Sequence, residues 1–148
     1  MVKPPNPSDY PAGYSWVYVL AAGPFCKVGR ATDVGARLKA CQTGCPYEIT
    51  FAYAQTVPMM DVSLLEGETH RQLSPRRARG EWFTASAEEA IEAISLARAA
   101  LNIPDYNIPI SDLPLIPDRM VRAYLSRSRQ SPAALWRYDQ MILAQGRT

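Results

Sequence analysis

Short β-rich segments alternate with helical segments between residues 14 and 101, and this alternation constrains the fold more than any other feature of the chain. Runs rich in β-branched and aromatic residues predict three strands, at about 15–21, 25–29 and 48–57. Apolar residues at helical spacing predict three helices, at about 32–43, 59–73 and 86–101. A short extended segment at 81–83 supplies a last strand. This order indicates an α/β (α+β) domain with a central three- to four-stranded mixed or antiparallel sheet flanked by helices.

Turn and capping residues mark the ends of several predicted elements. Gly23-Pro24 lies between the first two strands, so these strands are expected to form a hairpin. Thr32 precedes Asp33, which predicts a threonine N-cap and an acidic residue in the first turn of the first helix. Ser86 and Glu89 have the S-x-x-E spacing of a capping box, which opens the third helix.

Proline and charge divide the chain into four predicted parts. Residues 1–13 form an irregular lead-in, and residues 14–101 form the α/β domain. Four prolines in residues 102–117 predict an extended linker, because proline disrupts helices and restricts the residue before it. Residues 118–148 form a basic extension of two short helices. The second of these begins at Ser131-Pro132, with serine as the N-cap and proline in the first helical position.

The net charge of the chain is +2, but it is unevenly distributed. Residues 1–117 contain ten Lys or Arg and twelve Asp or Glu, whereas residues 118–148 contain six Arg and two Asp. A basic extension on a nearly neutral domain favours a polyanionic partner, with DNA as the first candidate. The alternatives are arginines on a solvated helix surface and a homo-oligomer formed through the C-terminal helices. The candidate nucleic-acid-binding residues are Arg119, Arg122, Arg127, Arg129 and Arg137.

Cysteine content and hydropathy favour a reduced protein that does not cross a membrane. An odd number of cysteines, three, argues against a disulfide framework and fits a reducing compartment. Residues 1–16 contain one lysine, no arginine and no apolar run of signal-peptide length. The apolar stretch at 16–22 is too short to span a bilayer. We therefore expect a cytoplasmic protein.

Several polar residues could converge on one surface of the predicted domain. A tight hairpin can place Tyr18 and Lys27 on one face, and Arg37 lies in the helix that follows. Glu66 and His70 are four residues apart and therefore share a helical face. Arginine binds phosphate through two parallel hydrogen bonds, and a carboxylate can hold a divalent metal. The set is therefore suited to phosphodiester chemistry.

Five short motifs follow one another along the domain. They are Trp16-Val17-Tyr18, Lys27-Val28-Gly29, Arg37-Leu38, Leu65-Glu66 with His70, and Gly80-Glu81-Trp82-Phe83. In this order and spacing they resemble the GIY-YIG nuclease superfamily, in particular its meiotically up-regulated gene-like branch from phages and bacteria. The resemblance covers about residues 14–101. It implies a small nuclease fold that hydrolyses DNA phosphodiester bonds with a single Mg²⁺ or Mn²⁺ ion.

The resemblance also implies a role for each matching residue. Tyr18 is the candidate for orienting or activating the attacking water, and Arg37 matches the arginine that contacts the scissile phosphate. Glu66 takes the place of the single metal-binding glutamate. Arg30 matches a basic position that faces phosphate in some relatives. The structural alternative for Glu66 is an ion pair with Arg71 or Arg37.

Two positions depart from the nuclease pattern. Lys27 stands where the second tyrosine is expected, and there it would supply auxiliary charge or act as an acid. Cys41 stands where a histidine or tyrosine is usual, and a thiol is a poor substitute for imidazole as a general base. His70 is a further auxiliary candidate. Three functions therefore stay open: a metal-dependent DNA endonuclease, a catalytically degenerate nucleic-acid-binding protein, and a structural or oligomerising protein of phage type.

Overall fold

The computed structural model describes residues 2–128 and 130–146. Within these ranges the strands are β1 Tyr14–Ala22, β2 Phe25–Ala31, β3 Ile49–Pro58, β4 Arg77–Arg79 and β5 Trp82–Phe83. The α-helices are α1 Val34–Gln42, α2 Val62–Leu73, α3 Ala87–Ala100, α4 Asp118–Ser126 and α5 Ser131–Ala144. None of these helices is both long enough and apolar enough to cross a bilayer.

The strands form one antiparallel sheet in the order β3-β1-β2-β5-β4. β1 pairs with both β2 and β3, and Tyr18 on β1 lies opposite Gly29 on β2. The predicted fold class, a small sheet flanked by helices, is confirmed. The sequence did not predict β4, whose residues are all exposed and therefore show no apolar alternation. Pairing with β5 holds β4 at the edge of the sheet.

Helices cover both faces of the sheet, which explains why β1 is a continuous apolar run rather than an alternating one. Val17 and Val28 belong to the larger hydrophobic cluster, which contains the buried faces of α2 and α3. Trp16 and Tyr18 point to the other face, where they pack with Val34 of α1. Polar side chains from the two faces can therefore meet only at an edge of the sheet.

Capping explains where two of the helices begin. Asp33 caps α1, because its carboxylate accepts a hydrogen bond from the Ala36 N–H at 3.0 Å. The prediction that Thr32 is the N-cap is therefore wrong by one residue. A charged carboxylate at this position also interacts favourably with the helix dipole. The predicted capping box of α3 is confirmed, with reciprocal hydrogen bonds between Ser86 and Glu89.

The proline-rich segment at 102–117 lies against the outer edge of β3. The Asn107 side chain accepts a hydrogen bond from the Thr56 N–H at 2.8 Å and donates one to the Ala54 carbonyl at 3.1 Å. These bonds satisfy backbone groups that an edge strand otherwise leaves open. The segment therefore covers the β3 edge of the sheet. The outer edge of β2 lies on the other side of β1 and has different surroundings.

The helices α4 and α5 pack together beyond this segment. Arg122 of α4 pairs with Asp118 on its own helix at 2.8 Å and joins the two helices through an ion pair with Asp139 of α5 at 2.7 Å. α5 begins at Ser131 with Gln130 as the N-cap, one residue earlier than predicted. Apolar residues from both helices and from the body of the domain form a cluster of Ala12, Met59, Val121, Leu125, Ala134, Tyr138 and Ile142.

Candidate functional site

A groove runs along the outer edge of β2, where strand pairing ends. β5 pairs with Cys26 and Lys27 of β2. At the next residue, the Val28 N–H donates to the Glu81 carbonyl at 3.1 Å, and the Val28 carbonyl lies 2.6 Å from His70 Nε2. Beyond Val28 the groove opens between α1 and α2. Its polar lining includes Arg30, Asp33, Arg37, Glu66, Glu81 and Gln130.

Glu66, His70 and Glu81 form the acidic centre of this groove. One side-chain donor atom from each residue lies within 4.8 Å of the other two. The Glu66 side chain is 13% exposed, and its Oε1 lies 3.7 Å from Arg30 Nε. Its Oε2 is buried and has no hydrogen-bond partner within the described ranges. Burial and then the charge of Glu81 raise the pKa of Glu66, and nearby positive groups oppose this shift. A cation at this centre would neutralise an otherwise unpartnered oxygen.

Lys27 reaches the acidic centre from β2. Its Nζ lies 2.8 Å from Glu81 Oε1 and 5.7 Å from the centre of the Trp82 ring, and its side chain is only 11% exposed. A buried ammonium group without a counter-ion would be costly, so Glu81 is the partner that permits its burial. The lysine that replaces the expected tyrosine is thus held in an ion pair.

Tyr18 is fully buried on the α1 face of the sheet. Its hydroxyl lies so close to Gly29 that any Cβ there would overlap it. Burial raises the pKa of Tyr18 to about 12, and the neighbouring Arg37 guanidinium opposes part of that shift. The hydroxyl has no hydrogen bond of good geometry to any described residue. Arg37 is exposed and lines the groove, and Cys41 packs against the same apolar cluster as Tyr18. Tyr18 and Arg37 therefore lie on the same side of the sheet.

Part of the C-terminal extension lies beside the groove. Arg127 and Arg30 line one surface pocket together with Ser63 of α2, and Arg30 donates a hydrogen bond to the Ser63 hydroxyl. Gln130 lines both this pocket and the groove. The charged surface around Arg30 is therefore continuous with the loop between α4 and α5.

The other tail arginines have different surroundings. Arg122 is held by its two ion pairs and stacks over Tyr138. Arg137 lines a separate, largely apolar pocket between α5 and the N-terminal segment. Arg119 is exposed on α4. Arg129 lies outside the described residues. Of the four predicted arginines that the structure describes, it thus brings one, Arg127, next to Arg30 at the groove.

Sequence reasoning treated Glu81 only as part of a strand motif and did not consider it as a site residue. The structure places it beside Glu66, because Gly80 adopts a positive φ of 58° and turns the chain back between β4 and β5. The signal that could have found it is a carboxylate directly between a turn glycine and the apolar pair Trp82-Phe83.

The ion pair suggested for Glu66 is different from the one observed. Arg71 pairs with Glu68 at 2.6 Å, three residues away on the same helix. Glu66 faces β2 instead and pairs with Arg30. The alternative partners Arg71 and Arg37 are therefore wrong, because α2 turns Glu66 toward the sheet edge.

A family profile for the T5orf172 domain, a nuclease-type domain, matches residues 15–98, more than half of the 148 residues. The matched region begins in β1 and ends near the end of α3. It includes Tyr18, Lys27, Arg37, Glu66 and Glu81. Comparisons with curated proteins and with solved structures found no match.

Proposed function

Because the chain belongs to the T5orf172 domain family, we propose that it is a metal-dependent DNA endonuclease of the GIY-YIG type, with its active site in the groove at the edge of β2. The observation that supports this most strongly is the position of Glu66. Its Oε2 is buried without a hydrogen-bond partner among the described residues, in a groove that two arginines, Arg30 and Arg37, also line. A carboxylate for a metal and cations for a phosphate are thus in one place.

The two arginines bind the DNA backbone in this proposal. Arg37 enters the groove from α1, and Arg30 enters it from β2. A guanidinium group can donate two parallel hydrogen bonds to one phosphate. Arg37 is exposed, makes no ion pair among the described residues and lies beside the Tyr18 hydroxyl. It can therefore turn toward the scissile phosphate and stabilise the negative charge that develops there. Arg30 leaves Glu66 only partly neutralised at 3.7 Å.

Glu66 holds the divalent ion, Mg²⁺ or Mn²⁺, in this proposal. The donor set fits such an ion because carboxylate oxygens are preferred ligands of both metals. When bound, the ion supplies positive charge that polarises the phosphodiester and neutralises the leaving oxygen. Lys27, held by Glu81 at 2.8 Å, adds a fixed positive charge on the same side.

Tyr18 acts as a hydrogen-bond donor rather than as a base. With a pKa of about 12, only about one molecule in 10⁵ carries a phenolate at pH 7. The Tyr18 hydroxyl is therefore a donor that orients the attacking water once Arg37 has turned from it toward a phosphate.

A second candidate function is nucleic-acid binding without cleavage. Three observations favour it: the Tyr18 hydroxyl is fully buried, Lys27 is held in an ion pair, and Cys41 stands where an imidazole is usual. In either function the arginines of the groove and Arg127 bind the phosphate backbone of DNA.

A plasmid-nicking assay with Mg²⁺ or Mn²⁺ separates the two candidates. The informative variant is Glu66→Gln, and Glu68→Gln is its matched control, because Glu68 lies on the same helix but pairs with Arg71 away from the groove. We expect nicking by the unmodified chain and by Glu68→Gln, and none by Glu66→Gln. Binding of duplex DNA without nicking by the unmodified chain would support the second function. Equal nicking by Glu66→Gln would overturn the site assignment.

A further inference from the structure

The donor atoms of the acidic centre are close to the spacing of a three-ligand metal site. The carboxylates of Glu66 and Glu81 and an imidazole nitrogen of His70 lie within 4.8 Å of one another. Atoms bound to one ion at about 2.1 Å lie no more than about 4.2 Å apart. Small side-chain rotations would therefore bring all three onto a single ion. α2 supplies two of these ligands, and the turn before β5 supplies the third.

His70 makes the backbone hydrogen bond that metal-binding histidines commonly make with their second ring nitrogen. Its Nε2 lies 2.6 Å from the Val28 carbonyl oxygen, which can only accept a hydrogen bond. Nε2 must therefore carry the proton, and the lone pair of the neutral ring is on Nδ1. A backbone carbonyl that fixes the tautomer and orientation of the ring is the usual partner of a metal-bound histidine.

We propose that Glu66, His70 and Glu81 together bind one divalent first-row transition-metal ion in preference to Mg²⁺. An imidazole nitrogen favours transition metals, whereas Mg²⁺ prefers oxygen ligands and retains its water. Only the use of this ion in cleavage rests on the proposed function; the binding itself does not.

Lys27 sets the affinity of this site. Its ammonium group occupies Oε1 of Glu81 and adds a positive charge beside the ligands. It therefore competes electrostatically with a metal ion. Removal of that charge by Lys27→Met should tighten metal binding, whereas loss of any ligand should weaken it.

Titration of the full chain with MnCl₂, followed by electron paramagnetic resonance, tests the proposal directly. Mn²⁺ binds most weakly in the transition series, so a preference for it over Mg²⁺ is a demanding test. We expect one bound Mn²⁺ per chain, with an affinity about tenfold or more above that for Mg²⁺ in competition. His70→Ala should lower the Mn²⁺ affinity about tenfold or more and leave the Mg²⁺ affinity nearly unchanged. Glu68→Gln should change neither.

The unmodified chain provides a second readout that needs no variant. His70 is the only histidine of the sequence. Coupling of bound Mn²⁺ to an imidazole ¹⁴N nucleus, measured by electron spin-echo modulation, would therefore identify His70 as the ligand. Equal affinities for Mn²⁺ and Mg²⁺, or bound Mn²⁺ without nitrogen coupling, would overturn the inference. Specific Mn²⁺ binding without DNA cleavage would support the inference and contradict the proposed nuclease. Cleavage with Mg²⁺ by a chain that does not prefer Mn²⁺ would support the proposed nuclease and contradict the inference.

Discussion

Replacing Tyr18 with phenylalanine should stabilise the fold, although Tyr18 is fully buried in an interior strand of the sheet. Its hydroxyl is buried and has no hydrogen bond of good geometry to the described residues. Burying an unpaired hydroxyl costs about 1–3 kcal/mol in proteins. Arg37 recovers part of this cost, first through a poorly aligned contact of its guanidinium with the hydroxyl and then through its charge. We therefore expect Tyr18→Phe to raise the free energy of unfolding by about 1 kcal/mol.

Tyr53→Phe is the matched control on the neighbouring strand. The Tyr53 hydroxyl donates to Gln55 Oε1 at 2.8 Å and accepts from Asn107 Nδ2 at 3.0 Å. Loss of this hydroxyl removes the donor to Gln55 Oε1 and one of the two acceptors of Asn107 Nδ2, which still donates to the Ala54 carbonyl. The free energy of unfolding should therefore fall by about 1–2 kcal/mol.

Urea unfolding of the unmodified chain and of both variants at pH 7 measures the two changes in the free energy of unfolding. The comparison requires that the three proteins have the same slope of this free energy against urea concentration. A loss of more than about 1 kcal/mol in Tyr18→Phe would mean that the hydroxyl has a structural partner and is not an unpaired buried group. If Tyr18 orients water, the stabilised variant should nick plasmid DNA more slowly. A stable variant with unchanged nicking would remove Tyr18 from the site.

Three further predictions follow from the same structure. A Cβ at Gly29 would lie 2.5 Å from Tyr18 Cζ, so Gly29→Ala should lower the free energy of unfolding by about 1–3 kcal/mol in urea titrations; an unchanged value would contradict this packing. Deletion of 118–148 should weaken duplex binding and flatten its dependence on salt, by about one unit of slope per lost phosphate contact; an unchanged slope would assign the extension to packing or self-association. Because the pKa of Glu66 is raised, its charge costs stability above that pKa. Glu66→Gln should therefore raise the free energy of unfolding at pH 7, measured by chemical denaturation. This gain should vanish as pH falls from the raised pKa of Glu66 to the ordinary pKa of a glutamate. A gain that persists at low pH would show that the charge of Glu66 is not its cause.

The sequence predicted the elements whose burial leaves a periodic pattern. The inward face of α2 is buried, as its helical spacing indicated. This face consists of Val62, Leu65, Thr69 and Leu73. The continuous apolar run of β1 likewise predicted a strand, and helices on both faces of the sheet explain it. Local capping chemistry placed the start of α3 correctly.

The parts that sequence reasoning missed depend on contacts between distant segments. β4 consists of exposed residues, and its pairing with β5 gives no hydrophobic signal. Glu81 enters the groove through a turn at Gly80, and its neighbours Lys27 and Glu66 come from elements far away in the sequence. The burial of Lys27 could not be predicted without knowing that Glu81 pairs with it. The convergence of Arg37 and Glu66 was predicted from their positions on the expected elements, and the motif resemblance then assigned their roles. The structure has both residues lining one groove.

The assignment of the active site to the groove at the edge of β2 is tested most directly by the single-turnover cleavage rate of duplex DNA by Arg37→Ala, compared with its duplex affinity in the absence of cleavage. If Arg37 stabilises the charge that develops on the scissile phosphate, the rate should fall about 10²- to 10³-fold. The affinity should fall much less, because Arg30 and Arg127 keep their backbone contacts. An unchanged rate, or a rate that falls only in proportion to affinity, would show that the groove at the edge of β2 is not the active site.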